Sequence, residues 1–230
     1  MIHHWMHLYA AGAWKEPLNE HLDALQGSGL GSTLFMQNSM IRYGVVGTYE
    51  QSHEAFQRLW AERSDEGKTR IIRSATGFEQ VTIAALQEDV QRYDDDDLVL
   101  YWHTKGAANP SEWNTAWRRT MEHFTVTHWQ EMTAALADHD IACIWWISEE
   151  WHPNPHPQGN FWWARADYLK TLPLISTDDR WKAELWVGQA NPRVYDAYPG
   201  SAGGSPLIGS PDFNCKLCDS GTGVGDTSLN

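Results

Sequence analysis

Positive charge is scarce in this 230-residue chain: 17 Lys and Arg stand against 30 Asp and Glu, a formal net charge of −13. Duplex nucleic acid and anionic bilayers both draw proteins through clustered cations, so both are disfavoured as partners. A pocket for one small phosphate needs only one or two cations and survives this test. Cysteine is equally sparse. Cys143, Cys215 and Cys218 cannot build a disulfide framework, which fits a reducing compartment. The longest strongly apolar run, Ile141 to Ile147, is far short of the ~20 residues that span a bilayer. The first residues, Met1-Ile2-His3-His4-Trp5, lack the basic-then-apolar pattern of a secretory signal. These absences predict a soluble, cytoplasmic protein. No Walker loop, G-x-S-x-G elbow or G-x-G-x-x-G turn follows a strand candidate, so those chemistries lose support.

What is present is aromatic. Fourteen Trp residues lie in a chain that is 42% hydrophobic, enough for a sizeable core. Trp combines a flat apolar face with one N–H donor and suits both a core and a platform for sugar rings. Core use is the expectation for most of them.

Short apolar strands alternate with amphipathic helices. Strands are expected at Ile2 to Tyr9, Arg42 to Gly47, Thr69 to Arg73, Leu98 to Trp102, Ile141 to Ile147 and Gly159 to Trp163. The first puts Ile2, His4, Met6 and Leu8 on one face and His3, Trp5, His7 and Tyr9 on the other. Helices are expected after Pro17, with Leu18, Leu22 and Leu25 inside and Gly27 and Gly29 closing it, and again from Tyr49 through Trp60. A further one carries Ile83, Leu86 and Val90. Another carries Trp113, Trp117, Met121 and Phe124, with a break where Thr125-Val126-Thr127 turns β-branched. The pattern predicts an α/β fold with a mixed, mostly parallel central sheet flanked by helices. Residues 1–198 form one domain, with halves at about 1–110 and 111–198, and a Gly/Ser-rich flexible tail occupies 199–230.

In such sheets ligands sit beyond the carboxyl ends of the strands. His103-Thr104-Lys105-Gly106 follows the most apolar strand directly, where a lysine can neutralise a diphosphate and Thr104 and Gly106 can donate to its oxygens. Asp94 to Asp97 precedes that strand, so it belongs to the opposite edge and reads as a solvated loop rather than a metal site. Gly159-Asn160-Phe161-Trp162-Trp163 offers an amide beside two large rings, a common combination in carbohydrate sites. Glu184 is either an i, i+4 partner of Arg180 or a general base aimed into a cleft; Asp178, Asp179, Glu149 and Glu150 are rival carboxylates. Among the 11 His, a metal-dependent hydrolase would draw on His3, His7, His103 and His152. Cys215-x-x-Cys218 lacks the two further ligands of a structural zinc site.

Taken in order, His4…Tyr9-x-x-Gly12-x-Trp14, Gly44-Val45-Val46-Gly47, Leu98 to Gly106, Trp117-Arg118, Gly159 to Trp163 and Ala183-Glu184-x-Trp186 resemble a family of small glycosyltransferases. The His-Thr-Lys element is also similar to one in rhamnan-synthesis proteins. This resemblance, over about residues 2 to 190, implies a GT-A-type fold and transfer of a hexose-like sugar from a nucleotide-diphosphate donor to a hydroxyl acceptor such as a glycan. By that analogy Tyr9, Gly12 and Trp14 border the donor nucleotide, and His103, Thr104, Lys105, Gly106 and Arg118 hold the diphosphate. Asn160, Trp162, Trp163 and Arg180 shape the acceptor side, and Glu184 is the base. Many GT-A enzymes carry an Asp-x-Asp metal motif where this chain has His103 to Gly106. A divalent Mn²⁺ or Mg²⁺ therefore lacks its usual ligands, and Lys105, Arg118 and backbone donors are expected to replace it. The alternatives are a non-catalytic carbohydrate-binding module and the His-based hydrolase.

Overall fold

In a computed structural model, which describes residues 1–37, 41–62, 69–176 and 179–213, the alternation along the first strand is observed as read. β1 (Ile2–Tyr9) is buried nearly throughout. Met6 and Leu8 enter one core and Trp5 the other. Pro17 and Leu18 begin the buried stripe of α1 (Lys15–Gly27), and a short helix absent from the sequence reading, α2 (Leu30–Met36), follows once Gly29 turns the chain at φ 75°. β2 (Ile41–Val46), α3 (Tyr49–Glu62), β3 (Thr69–Ser74), α4 (Gln80–Val90) and β4 (Leu98–His103) continue the strand–helix alternation. On α3 the aromatic ladder Tyr49, His53 and Phe56 is the outer face; Ser52, Ala55 and Leu59 are buried instead.

Ser111 caps α5 (Glu112–Glu122), its Oγ accepting the Asn114 N–H at 3.1 Å. The break anticipated near Thr125 is a π-helical turn, His123–Thr127, followed by α6 (Trp129–Ala135). The strand expected over Ile141 to Ile147 is split. β5 (Ile141–Cys143) stops at Cys143, and two residues on, Trp145 turns left-handed (φ 53°) while the Asp196 carboxylate accepts the N–H groups of Trp145 and Trp146. β6 (Trp146–Ile147) then pairs with β7 (His156–Pro157) as a separate two-stranded sheet. β8 (Trp162–Arg165), α7 (Ala166–Lys170), α8 (Lys182–Trp186) and β9 (Val194–Asp196) complete the fold.

The seven-stranded sheet has the order β3-β2-β1-β4-β8-β5-β9. β1 to β4 are mutually parallel, and β9 is parallel to β5. β8 runs antiparallel between β4 and β5. One reversed strand decides where the site lies: the start of β8 meets the same sheet edge as the end of β4. The sheet is a middle layer between two apolar cores. Leu100, Trp102 and Trp163 belong to one, Val99, Tyr101 and Trp162 to the other.

Residues 199–213 are not a free tail. Ala202 and Leu207 are buried, Phe213 packs edge-on against His123 and Phe124, and the Ile208 N–H donates to Thr120 Oγ1 at 2.9 Å. Apolar anchors spaced along a Gly/Ser-rich segment suffice to dock it. Cys215 and Cys218 lie outside the described residues. Among those described, no helix is long and apolar enough to cross a membrane.

Candidate functional site

A cleft of about 620 Å³ opens at the carboxyl ends of β1 and β4. Its floor is the turn after β4. Thr104 Oγ1 accepts the Tyr9 N–H at 2.9 Å, stitching the ends of the two strands together. Gly106 then turns left-handed at φ 87°, where a side chain is strained. Gly12 lets the β1 loop press onto this turn: a Cβ there would stand 2.1 Å from the Ala107 carbonyl oxygen, which also accepts the Ala13 N–H. Thr104 therefore holds the floor as much as it lines it. Gly12 and Trp14 lie behind the wall, Trp14 buried in the core, and only Tyr9 of that trio faces the cleft.

Lys105 is the notable charge. Its Nζ lies 3.6 Å from the centroid of the Trp117 ring and, among the described residues, forms no ion pair or hydrogen bond. Burial lowers its pKa, an effect partly offset by the negative charges of Glu184 and Glu79. Cation–π contact contributes about 2 kcal/mol at a desolvated site, less than an ammonium loses on leaving water. Arg118, expected to reach the donor, does not line the cleft. A buried guanidinium needs fixed acceptors, and this one donates to the Lys105 carbonyl (3.1 Å) and to Glu20 (2.6 Å), bracing the Lys105 turn from behind.

Arg180 does line the cleft, its guanidinium 4.5 Å from the Trp181 ring centroid and 5.7 Å from that of Phe78, with no carboxylate partner among the described residues. The i, i+4 pairing with Glu184 is not formed, because α8 starts only at Lys182. Glu184 instead accepts the Gly159 N–H through Oε1 at 3.0 Å and turns its carboxylate to the cleft. Of its rivals, Asp179 accepts the Trp181 N–H, Glu149 and Glu150 are exposed and away from the cleft, and Asp178 lies outside the described residues.

The segment before β8 holds the opposite wall. Gly159 (φ 95°) and Asn160 (φ 58°) both adopt left-handed backbone. A Cβ at Gly159 would stand 2.5 Å from Met121 Sδ. Asn160 is 1% exposed and fully used: Nδ2 donates to Glu79 Oε2 (2.6 Å) and to the Ala183 carbonyl (3.4 Å), and Oδ1 accepts the Trp162 Nε1–H (2.8 Å). It positions a wall rather than meeting a ligand. Asn160→Ala should cost about 2–4 kcal/mol, from stranded partners and the left-handed backbone. Asn160→Gly, which tolerates that backbone, should cost about 1 kcal/mol less. Urea melts of both variants check this, and a loss under about 1 kcal/mol for the alanine would contradict it.

Trp162 and Trp163 are corrected outright. β8 lies between two strands and is covered on both faces, so the rings point into opposite cores, each fully buried. Trp162 stacks on Tyr101, and Trp163 donates to the Thr125 carbonyl at 2.7 Å. A ring so placed contributes about 3–5 kcal/mol to the fold and has no free face. The large aromatic side chains that line the cleft are Tyr9, Phe78, Trp117 and Trp181.

Glu79, just before α4, was missed by sequence reasoning. Its Oε2 accepts the Tyr101 hydroxyl (3.2 Å) and Asn160 Nδ2, while Oε1 stands 3.6 Å from His103 Nδ1. His103 Nε2 in turn donates to the Gly159 carbonyl at 2.9 Å. His7, opposite His103 across the β1–β4 pairing, shares a 2.9 Å hydrogen bond with Thr82 Oγ1. Burial pushes His103 down to about 3, with the Lys105 charge acting the same way, and His7 down to about 4. In the unfolded chain both titrate near 6.5. Between those limits the unfolded state binds more protons, so stability present above pH 6.5 is lost as pH falls toward 4. The melting temperature should therefore drop steadily from pH 7 to pH 4, and His7→Asn should flatten the slope; an unchanged slope contradicts the assignment.

His3 belongs to the far edge, bonded to Asp97 and stacked on Tyr93, so the four-histidine hydrolase set does not assemble. His152 and His156 line the cleft, each with Nδ1 against the Asn154 carbonyl. Among the described residues, three or more ligating side chains converge only at Asp94, Asp96 and Asp97, on that far edge. Asp97 there is buried rather than solvated, and its Oδ2 meets His3.

Curated proteins offer no match to the chain. A family described as a domain of unknown function (DUF8361) matches residues 13–193, a span that holds every cleft residue except His7 and Tyr9. The chain belongs to that family.

Proposed function

We propose that the protein is a glycosyltransferase of GT-A type that takes a sugar from a nucleotide-diphosphate donor and passes it to a hydroxyl acceptor. One observation carries the reading. In a chain of net charge −13, two cations without carboxylate partners among the described residues, Lys105 and Arg180, face one cleft at the carboxyl edge of a mostly parallel sheet. Unpaired cations held on aromatic faces in such a cleft suit a diphosphate, and Arg180 joins Lys105 there rather than serving the acceptor. Glu184 supplies the base. The acceptor oxygen forms a bond to the anomeric carbon as the bond from that carbon to the diphosphate breaks. The electron pair leaves with the nucleoside diphosphate, and the acceptor proton passes to Glu184. Lys105 and Arg180 offset the charge that grows on the leaving oxygen.

The exposed ring of Trp181 at the rim favours one rival, a module that only binds sugar. Calorimetry with UDP, GDP and dTDP separates the two. The transferase binds at least one of these nucleotides, whereas sugar binding with no nucleotide affinity would leave only the module.

A further inference from the structure

The tryptophans that the core leaves outside share one place. Among those whose burial is described, only Trp113, Trp151 and Trp181 are exposed, at 48%, 82% and 55%. Trp181 lines the cleft. Trp113 stands one residue before Asn114 and Trp151 one residue before His152, and both of those neighbours line it too. The centroid of the Trp113 ring lies 6.4 Å from that of Trp117, the ring beneath Lys105. Three separate segments, α5, the turn between β6 and β7, and the residue before α8, thus each bring an indole to one opening. A single exposed ring is ordinary, but exposed rings gathered at the mouth of a cleft mark a contact surface.

Volume and charge say what lies there. The cleft holds about 620 Å³, within the range of about 300–1,000 Å³ that takes one small-molecule ligand. A nucleotide donor fills such a space, so whatever accepts the sugar approaches across the rim. Glu112 and Glu150 immediately precede Trp113 and Trp151, and Asp179 comes two residues before Trp181; all three acids are exposed. Carboxylates so placed repel a polyanion, which disfavours single-stranded nucleic acid, the other polymer that stacks on aromatic side chains. Arg180 at the same rim, 4.5 Å from the Trp181 ring centroid, opposes a polycation. An uncharged chain of sugars meets neither objection. Its C–H faces can pack on the indoles, and Asn114 and His152 stand beside them to bond hydroxyls.

We propose that Trp113, Trp151 and Trp181 are subsites for an uncharged oligosaccharide that runs across the mouth of the cleft. Trp113 and Trp151 lie outside the lining of the cleft, whereas Lys105 and Glu184 lie within it. Only a ligand longer than one sugar reaches from those two rings to those two charges, so the substrate is a chain of several sugars. Naming this chain the acceptor rests on the transferase reading; its contact with the three rings does not.

The test uses the full chain carrying fluorotryptophan, with the fluorine resonances of the three rings assigned by single replacement with Phe. It is titrated with linear glucan and mannan oligosaccharides, from disaccharide to hexasaccharide. Affinity for at least one series should rise roughly tenfold or more with length, and Trp113 and Trp151 should shift only with the longer members. Trp113→Ala and Trp151→Ala should each weaken hexasaccharide binding roughly fivefold or more, with thermal melts confirming that each is folded. Affinity indifferent to length overturns the proposal, as does parent affinity in either variant or no binding of any series. Tighter binding of oligothymidylate or oligolysine than of every hexasaccharide overturns it too, since the occupant is then a different polymer. UDP, GDP or dTDP bound without any length effect overturns the subsites and leaves the transferase reading standing. A length effect lost in the variants, with none of those nucleotides bound, supports the subsites and removes that reading.

Discussion

Lys105→Met should bind inorganic pyrophosphate at least tenfold more weakly than the parent chain while melting at the same temperature or higher. The two halves of this result have one cause. A largely desolvated ammonium with only the Trp117 ring beneath it does little for the fold, and an unbranched apolar side chain of similar length removes its desolvation cost. To an arriving diphosphate the same ammonium is worth a charge-assisted hydrogen bond of about 1.5–3 kcal/mol, or roughly 10- to 150-fold in affinity. Calorimetric titration paired with a thermal melt reads both quantities. A variant that loses stability and keeps its affinity would make Lys105 a structural residue and remove its role in the cleft.

Glu184→Gln should reduce turnover by about 10²–10⁴-fold, the usual contribution of a positioned general base, and change donor affinity by less than about threefold. The amide oxygen can still accept the Gly159 N–H, so the wall should hold its shape. Only the ability to take up a proton is lost. Steady-state assays with saturating donor distinguish this outcome from a structural one, in which KM rises and kcat is spared. Full turnover in the variant would pass the base role to Glu79, the other cleft carboxylate.

Much of this arrangement can be read from the chain itself, and the failures have physical causes. The apolar run ending at Trp102 placed Lys105 at a carboxyl edge, and the edge rule set Asp94 to Asp97 on the far side; both placements hold in the structure. Strand direction was hidden. Because β8 runs backwards between two neighbours, its beginning rather than its end reaches the site, and Trp162 and Trp163 become core. An isolated Gly-Asn pair before two tryptophans carries no mark of direction. Glu79 was legible in principle: the turn after β3 opens on the same edge as the turn after β4, and Glu79 lies in it. Arg118 shows the opposite error, since a cation next to a motif attracts a ligand role even when two nearby acceptors, Glu20 and the Lys105 carbonyl, already engage its two terminal nitrogens.

The most direct measurement is release of nucleoside diphosphate from a panel of activated sugars, scored with and without added glycan acceptors. The account predicts slow release from at least one donor by the parent chain, acceleration by a matching acceptor, and collapse of both in Lys105→Met. Across that panel, a protein that releases nothing yet still binds free glycan would contradict it.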